Sequence, residues 1–553
     1  MATATQEKPV KAQWEELAEW GTELEIDGAE GLVEGEPKAS AAPGGHLPPV
    51  VLPSNGVTIS VCAQELFQLI APSKRLFARG GAVMGLTRRD DGLLALEVLR
   101  PAAARSFFEK FAMLFAWRIG PKGALVLKPT VCPHDMADAL LQSEEAAKLL
   151  PRVQGLINCP VLREVDGQLS AAGPGYDEVT QLLITGGKLP PVVELEEAVA
   201  ALLGLLAEFD FQTEGDKARA VASLISPALR AGGFLKGRVP ADVAEADQSQ
   251  SGKTYRQKLI AALYNERVSL VTNREGGVGS IDESLNQQLV AGRPFIQFDN
   301  FRGRFASAHL EAFLTAERAF PCRVPYGGEV SVPPENYFVF LSSNGVDTTR
   351  DFANRSNIIR IRKKPPGFLF RQYKEGDLLS RVREQQAYYL GCVFAVLREW
   401  HTRGRLRTSE TRHDFREWVQ VVDWIGQNIF GTVPVMDGHQ QAQERVSNPA
   451  LVWLRNVVLA INDTGELDVG LTATDIYGLC ESCDITVPGI RPGADEDKGK
   501  KVVGTIMAKL FRDQSTLEVD GFQVTREERY LSREDGSEGG YFKSKTYTVT
   551  KPQ

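Results

Sequence analysis

The alternation of apolar and polar positions sets out most of the elements. Leu259, Ala262 and Leu263 return at helical spacing over Tyr255–Tyr264, with no Gly or Pro inside, which predicts a helix. Arg267–Thr272 reads as a buried strand and Ser284–Val290 as a helix. The apolar run Pro294–Asn300 ends in acid, and Asn336–Asn344 ends in a polar amide. Ala306–Ala319 reads as a helix between them, Arg323–Val332 as a hairpin about Gly327-Gly328, and Asn357–Arg362 as a further strand. The segment Val239–Ala246 makes a poor buried strand, because it contains Pro240, Asp242 and Glu245.

Upstream, the pattern predicts strands at Val57–Cys62, Leu76–Leu86, Leu93–Leu99 and Ala124–Leu127. Helices are expected at Ala63–Ile70, Ala102–Phe115 and Pro133–Leu150. Val193–Leu206 and Lys217–Ala231 read as helices, the second broken at Pro227. Downstream, Gly367–His401 and Phe415–Phe430 read as helices anchored by Trp400, Trp418 and Trp424, with Gly431–Asn448 as a linker. Helices at Pro449–Ile461, Thr472–Cys480 and Gly499–Phe511, then strands at Phe522–Thr525 and Tyr541–Val549, read as a winged helix. The expected fold class is α/β. The units are an acidic flexible tail (1–56), an N-terminal α+β accessory domain (57–185), a helical collar (186–232), a nucleotide-binding core (233–365), a helical lid and linker (366–448) and a winged-helix domain (449–553).

Charge changes this picture in one place. Residues 1–40 carry 3 Lys against 10 Asp or Glu, so almost all of the net charge of −8 lies in the tail, and a nucleic-acid partner is not excluded. Seven scattered cysteines suit a reducing, cytoplasmic setting better than a disulfide framework, and Cys480-Glu-Ser-Cys483 lacks a second ligand pair for zinc. The longest apolar stretch, Pro191–Phe209, is interrupted by four glutamates and reads as amphipathic, which argues against a membrane partner.

The chemistry centres on Asp247-Gln-Ser-Gln-Ser-Gly-Lys-Thr254, a phosphate-binding loop whose first glycine is replaced by Asp247. Such a loop turns backbone N–H groups onto phosphates, brings a lysine to the β/γ oxygens and a hydroxyl to Mg²⁺, and opens a helix towards the anion. An acid-tipped buried strand at Phe298-Asp299-Asn300 suits a Mg²⁺ ligand at a strand's carboxyl end.

Taken together, Ser-Gly-Lys-Thr (251–254), Phe-Asp-Asn (298–300), Ser-Ser-Asn-Gly (342–345) and Asp-Phe-Ala-Asn-Arg-Ser (351–356) resemble the AAA+ helicase modules of phage, plasmid and integrative-element primase-helicases, of superfamily 3 character. The resemblance implies that ATP is cradled by Ser251, Gly252, Lys253, Thr254 and Tyr255, with Mg²⁺ held by Thr254 and Asp299. It implies Asn344 as the sensor of the γ-phosphate and Arg355, with Arg350 as runner-up, as an arginine finger acting on a neighbouring subunit. Asn300 stands where many such enzymes carry a catalytic Glu, so slow hydrolysis stays open, and Glu311 is a second candidate base.

Expected DNA contacts are Arg274 and Arg323 towards a ring's pore, with Lys500, Lys501, Lys509, Lys543 and Lys545 on the winged helix. The resulting expectation is an ATP-dependent DNA helicase or translocase, a homo-oligomer and by resemblance a hexamer. It would act in replication of a mobile element on a single strand in the pore and a duplex or fork at the winged helix. A separate primase or polymerase is a further expected partner, since no priming site is visible. The alternatives are an AAA+ switch or loader with little hydrolysis, and a scaffold with a decayed site.

Overall fold

The computed structural model describes residues 47–551, apart from 91, 121–122, 247–249, 272–279, 302–303, 325–327, 345, 491–495, 513 and 533–540. Side chains at 300–301, 304, 344, 529–532 and 541–543 are likewise outside the description. The N-terminal unit begins before Val57, because Pro49–Val51 forms a parallel strand with Met113–Phe115. The expected strand at Val57–Cys62 is instead the start of one helix, Ile59–Ile70, capped where the Thr58 hydroxyl accepts from the Val61 N–H. The alternation misleads because Ile59 and Val61 are exposed, while Cys62, Ala63, Leu66, Phe67 and Ile70 are buried at helical spacing. The helix expected at Ala102–Phe115 stops at Phe108, and Met113–Ile119 is a strand. Leu76–Arg79, Ala82–Arg88 and Leu94–Val98 form an antiparallel sheet turned at Gly80-Gly81. Gly80 has a positive φ and lies so close to the Ser331 backbone that a Cβ has no room there.

The core is a six-stranded sheet with helices on both faces. Its elements are β1 (Asp210–Phe211), α1 (Glu214–Ala231), β2 (Ala241–Ala246), α2 (Lys253–Leu263), β3 (Ser269–Leu270), α3 (Ile281–Ala291), β4 (Phe295–Phe301), α4 (Ala308–Thr315), β5 (Phe338–Asn344) and β6 (Ser356–Arg362). The strand order is β1-β6-β2-β5-β4-β3, parallel throughout except for β1. Period-two burial divides two hydrophobic cores across the sheet. Phe295, Phe338, Phe340, Ile359 and Ile361 face α1, α2 and the helices Leu195–Leu206, Gln386–Thr402 and Arg416–Ile425. Val243, Ile296, Phe298, Val339, Leu341 and Ile358 face α3, α4 and the N-terminal sheet.

The segment judged a poor strand is β2, buried along its whole length and flanked by β5 and β6. Its carboxylates are tolerated because each meets cations or donors from elsewhere. Asp242 accepts from Arg256, from Gln257 Nε2 at 2.9 Å and from Ser223 Oγ at 2.6 Å. Glu245 accepts from Arg445 Nη1 at 2.6 Å and from the Val346 N–H at 3.3 Å. Pro227 does not break α1, which runs from the Thr213–Asp216 capping box to Ala231.

The expected linker 431–448 holds the helix His439–Ser447, whose Ala442 and Val446 pack into the core under the sheet. The helices after β6 begin only at Leu378; residues 363–377, rich in Pro and Gly, lead up to them. The C-terminal unit has its own core around Trp453, Val503, Phe511 and Tyr547. Three helices, Pro449–Thr464, Ala473–Ser482 and Glu496–Leu510, pack with a four-stranded sheet. No helix among the described residues is long and apolar enough to cross a membrane.

Candidate functional site

The carboxyl ends of β2, β5 and β4 open on one edge of the sheet. Ala246, the last residue of β2, stands in register with Asn344, the last of β5. At that edge α2 begins. Its N-cap is Gly252, at φ 90° and ψ 5°, a conformation a side chain rarely adopts. A Cβ there would lie 3.0 Å from the Phe209 ring, so loop and ring are in close contact. Lys253 opens the helix, buried, with Nζ donating to Ser251 Oγ at 3.4 Å. Tyr255, one residue beyond Thr254, accepts from the Leu379 N–H at 2.8 Å and so ties α2 to the helix Leu378–Glu384.

Three oxygens converge beside this helix start. Thr254 Oγ1 donates to Asp299 Oδ1 at 2.7 Å and lies 3.1 Å from Ser342 Oγ, which itself donates to Asp299 Oδ1 at 2.7 Å. Asp299 is exposed although the strand before it is buried. The cause is a bulge: β4 and β5 pair in step as far as Phe298, and the register slips by one residue before Phe301. A bulge of this kind turns a side chain away from the pleat, here towards Thr254. Ser342 is the member the sequence reading missed. It lies inside the quoted Ser-Ser-Asn-Gly run, but its partner is set only by the pairing of β4 with β5.

Whether these residues suit a triphosphate and Mg²⁺ is a question of donors and space. A glycine that no side chain can replace without meeting Phe209, a buried lysine, an α-helix N-terminus and a hydroxyl–carboxylate cluster supply what such a ligand needs. Asp247 lies outside the described residues, as does Arg274; Asn300 and Asn344 lie in strands, with their side chains outside the description.

Of the two candidate arginine fingers, Arg355 is not at this edge. Arg350 opens the short helix Arg350–Asn354 and is exposed. Arg355 follows it, with Nη1 donating to the Asp351 carbonyl at 3.0 Å. The Arg355 carbonyl accepts from the N–H of Ala241, the first residue of β2. At ~3.3 Å per residue, the five steps of β2 put about 17 Å between that end and the loop. Glu311 accepts from Thr349 Oγ1 at 2.5 Å, next to the helix cap rather than in the oxygen cluster.

Of the expected DNA contacts, Arg323 is exposed on the hairpin strand Phe320–Val324. Lys501 and Lys509 are exposed on the helix Glu496–Leu510, whereas Lys500 pairs with Glu496 at 2.6 Å. Lys545 is exposed opposite Glu528, and the side chain of Lys543 lies outside the description. Cys480 is buried in the C-terminal core and Cys483 is exposed.

No protein-family model and no curated protein matches the chain. Among solved structures, it is similar to the apo C-terminal region of NrS-1, at 12% identity and TM-score 0.36 over 87% of this chain and 99% of that one. It is also similar to the SCCmec type IV Cch active helicase, at 11% identity and TM-score 0.32 over 85% of this chain and 92% of that one. A third likeness is to JCV helicase bound to a small molecule, at 12% identity and TM-score 0.21 over 46% and 73%. At such scores these likenesses establish neither a family nor an activity.

Proposed function

We propose that the chain is an AAA+ ATPase that binds ATP with Mg²⁺ at the carboxyl edge of its sheet and translocates on DNA as a ring. The observation that carries this reading is the convergence of Thr254, Ser342 and Asp299 beside the glycine that opens α2. Lys253 would neutralise the β/γ-phosphates, and the N–H groups at the head of α2 would face them. Thr254 and Asp299 would hold Mg²⁺, which when bound offsets charge on the phosphate oxygens. Asn344, level with the end of β2, would reach the γ-phosphate or the attacking water.

The position of Arg355 supports action in trans. Its backbone leaves from the opposite end of β2, out of reach of its own loop, so it would serve a neighbour's site in the ring. Hydrolysis would then require assembly. On this reading the helices packed on α2 form the collar and lid. The C-terminal unit is a winged helix offering Lys501 and Lys509 to a duplex or fork, and Arg323 on the hairpin faces the strand in the pore. A mobile-element setting follows from the resemblance alone.

One observation favours a second reading, a DNA-bound switch with little turnover. Glu311, the other candidate base, is engaged with Thr349, and Asn300 follows Asp299 where a catalytic Glu is common. DNA-stimulated ATP turnover tests both. A motor gives turnover that Lys253→Ala abolishes. Arg355→Ala is also inactive, and mixing it with Lys253→Ala restores activity, since a hybrid seam then joins an intact Lys253 to an intact Arg355. Nucleotide-dependent assembly without turnover favours the switch, and assembly indifferent to Lys253→Ala overturns both in favour of a scaffold.

A further inference from the structure

A cleft of about 280 Å³ lies between the N-terminal sheet and the core, away from the edge where Thr254 and Asp299 meet. Three arginines line it, two from either end of one N-terminal strand and the third from the hairpin of the core. Arg89 follows the strand Ala82–Arg88, Arg100 is the N-cap of the helix Pro101–Phe108, and Arg323 stands on the hairpin strand. Arg89 is oriented by a 3.1 Å bond from Nη1 to Gln288 Oε1 on α3. Leu96 and Val290 are buried beneath, and Glu97 is the one carboxylate in the lining.

An apolar floor under a rim of guanidinium groups suits a ligand with a flat, weakly polar face and a fixed negative charge. A nucleotide has both: a base that stacks or packs, and a phosphate that accepts from arginine. The volume is near the lower end of small-molecule sites, about 300 Å³, so it takes one unit of a polymer more readily than a large free ligand. Arg323 also belongs to the hairpin that would face the translocating strand, so cleft and hairpin form one continuous surface.

We propose that this cleft holds one nucleotide of a single DNA strand, its base against Leu96 and Val290 and its phosphates between Arg89, Arg100 and Arg323. The N-terminal unit thereby becomes part of the nucleic-acid track. The proposal rests on the translocase reading above and extends it to a domain with no assigned role.

The test is fluorescence anisotropy of a labelled oligo-dT with the full chain across a salt series, comparing wild type, Arg89→Ala/Arg100→Ala and Arg118→Ala/Lys128→Ala. The last pair removes the same charge from exposed positions on another sheet of the same unit. The cleft pair should weaken binding about tenfold and reduce the salt slope by roughly 1.4, two phosphates at about 0.7 each, with the control pair close to wild type. Binding of a fluorescent ATP analogue should be the same in all three, which separates lost contacts from misfolding. Glu97→Gln should act in the opposite direction and tighten binding.

If wild type binds oligo-dT and the cleft pair binds equally well with the same slope, the cleft assignment fails and the translocase reading stands. If wild type does not bind oligo-dT, both fail. If thymidine monophosphate alone fills the cleft and oligo-dT does not compete with it, the site takes a free nucleotide and the strand assignment is overturned.

Discussion

Gly252 and His413 show how single positions constrain this protein. At Gly252 the backbone has φ 90°, and a Cβ would crowd the Phe209 ring at 3.0 Å. Gly252→Ala should therefore leave the melting temperature within a few degrees of wild type but weaken ATP-analogue binding at least tenfold, as read by titration. His413 is fully buried, and burial pushes its imidazole down to about 4. Its Nδ1 accepts from the Phe415 N–H at 3.0 Å, and Nε2 faces the Ser356 carbonyl at 3.3 Å, an arrangement for the neutral ring only. The unfolded chain takes up this proton near pH 6.5 and the folded chain only near 4. Stability is thus complete above about pH 7 and falls as pH drops through that window, by up to about tenfold in the folding constant per pH unit. His439 is shifted in the same direction by burial and by His413 beside it. Thermal melts between pH 7 and 5 should show the loss, and His413→Gln should remove part of it, with His439 supplying the rest.

At the scale of elements, β2 teaches the most. The bonds of Asp242 to Arg256, Gln257 and Ser223 are made in the interior. Asp242→Ala would leave Arg256 buried without its partner, at a cost of about 3–5 kcal/mol. Urea denaturation should show that loss, and Asp242→Leu/Arg256→Met should recover most of it. The same strand explains what was legible in the sequence. α2, β4, β5 and the hairpin follow from local periodicity and come out close to their expected places. β2 does not, because the groups that make Asp242 and Glu245 tolerable lie 14 to 200 residues away. Likewise Thr254, Asp299 and Asn344 stand out by motif, while Ser342 and the bulge that aims Asp299 depend on strand pairing. The first turn of the helix Ile59–Ile70 reads as a strand because it exposes Ile59 and Val61, and apolar surface residues imitate a strand's alternation, whereas Ala63–Ile70 reads as the helix it is.

Across the whole molecule, buried charges join the C-terminal unit to the core. Arg455, on that unit's first helix, pairs with Asp520 and lies 3.9 Å from Glu245, while Arg360 on β6 reaches the same Asp520 at 2.8 Å. Burial alone would raise the Glu245 carboxyl; Arg445, with Arg360 and Arg455 behind it, overrides that and holds it down at about 2. Asp520→Ala should release the C-terminal unit, read as faster limited proteolysis near Asn448. The central sheet should melt nearly as before, because that unit has its own core. Glu245→Gln should weaken both the attachment and ATP-analogue binding.

Glu245 sits two residues before the loop that opens α2, so the clamp that fastens the C-terminal unit is bolted to the stem of that loop. A torque on the far unit therefore bears, through these ion pairs, on the last residues of β2.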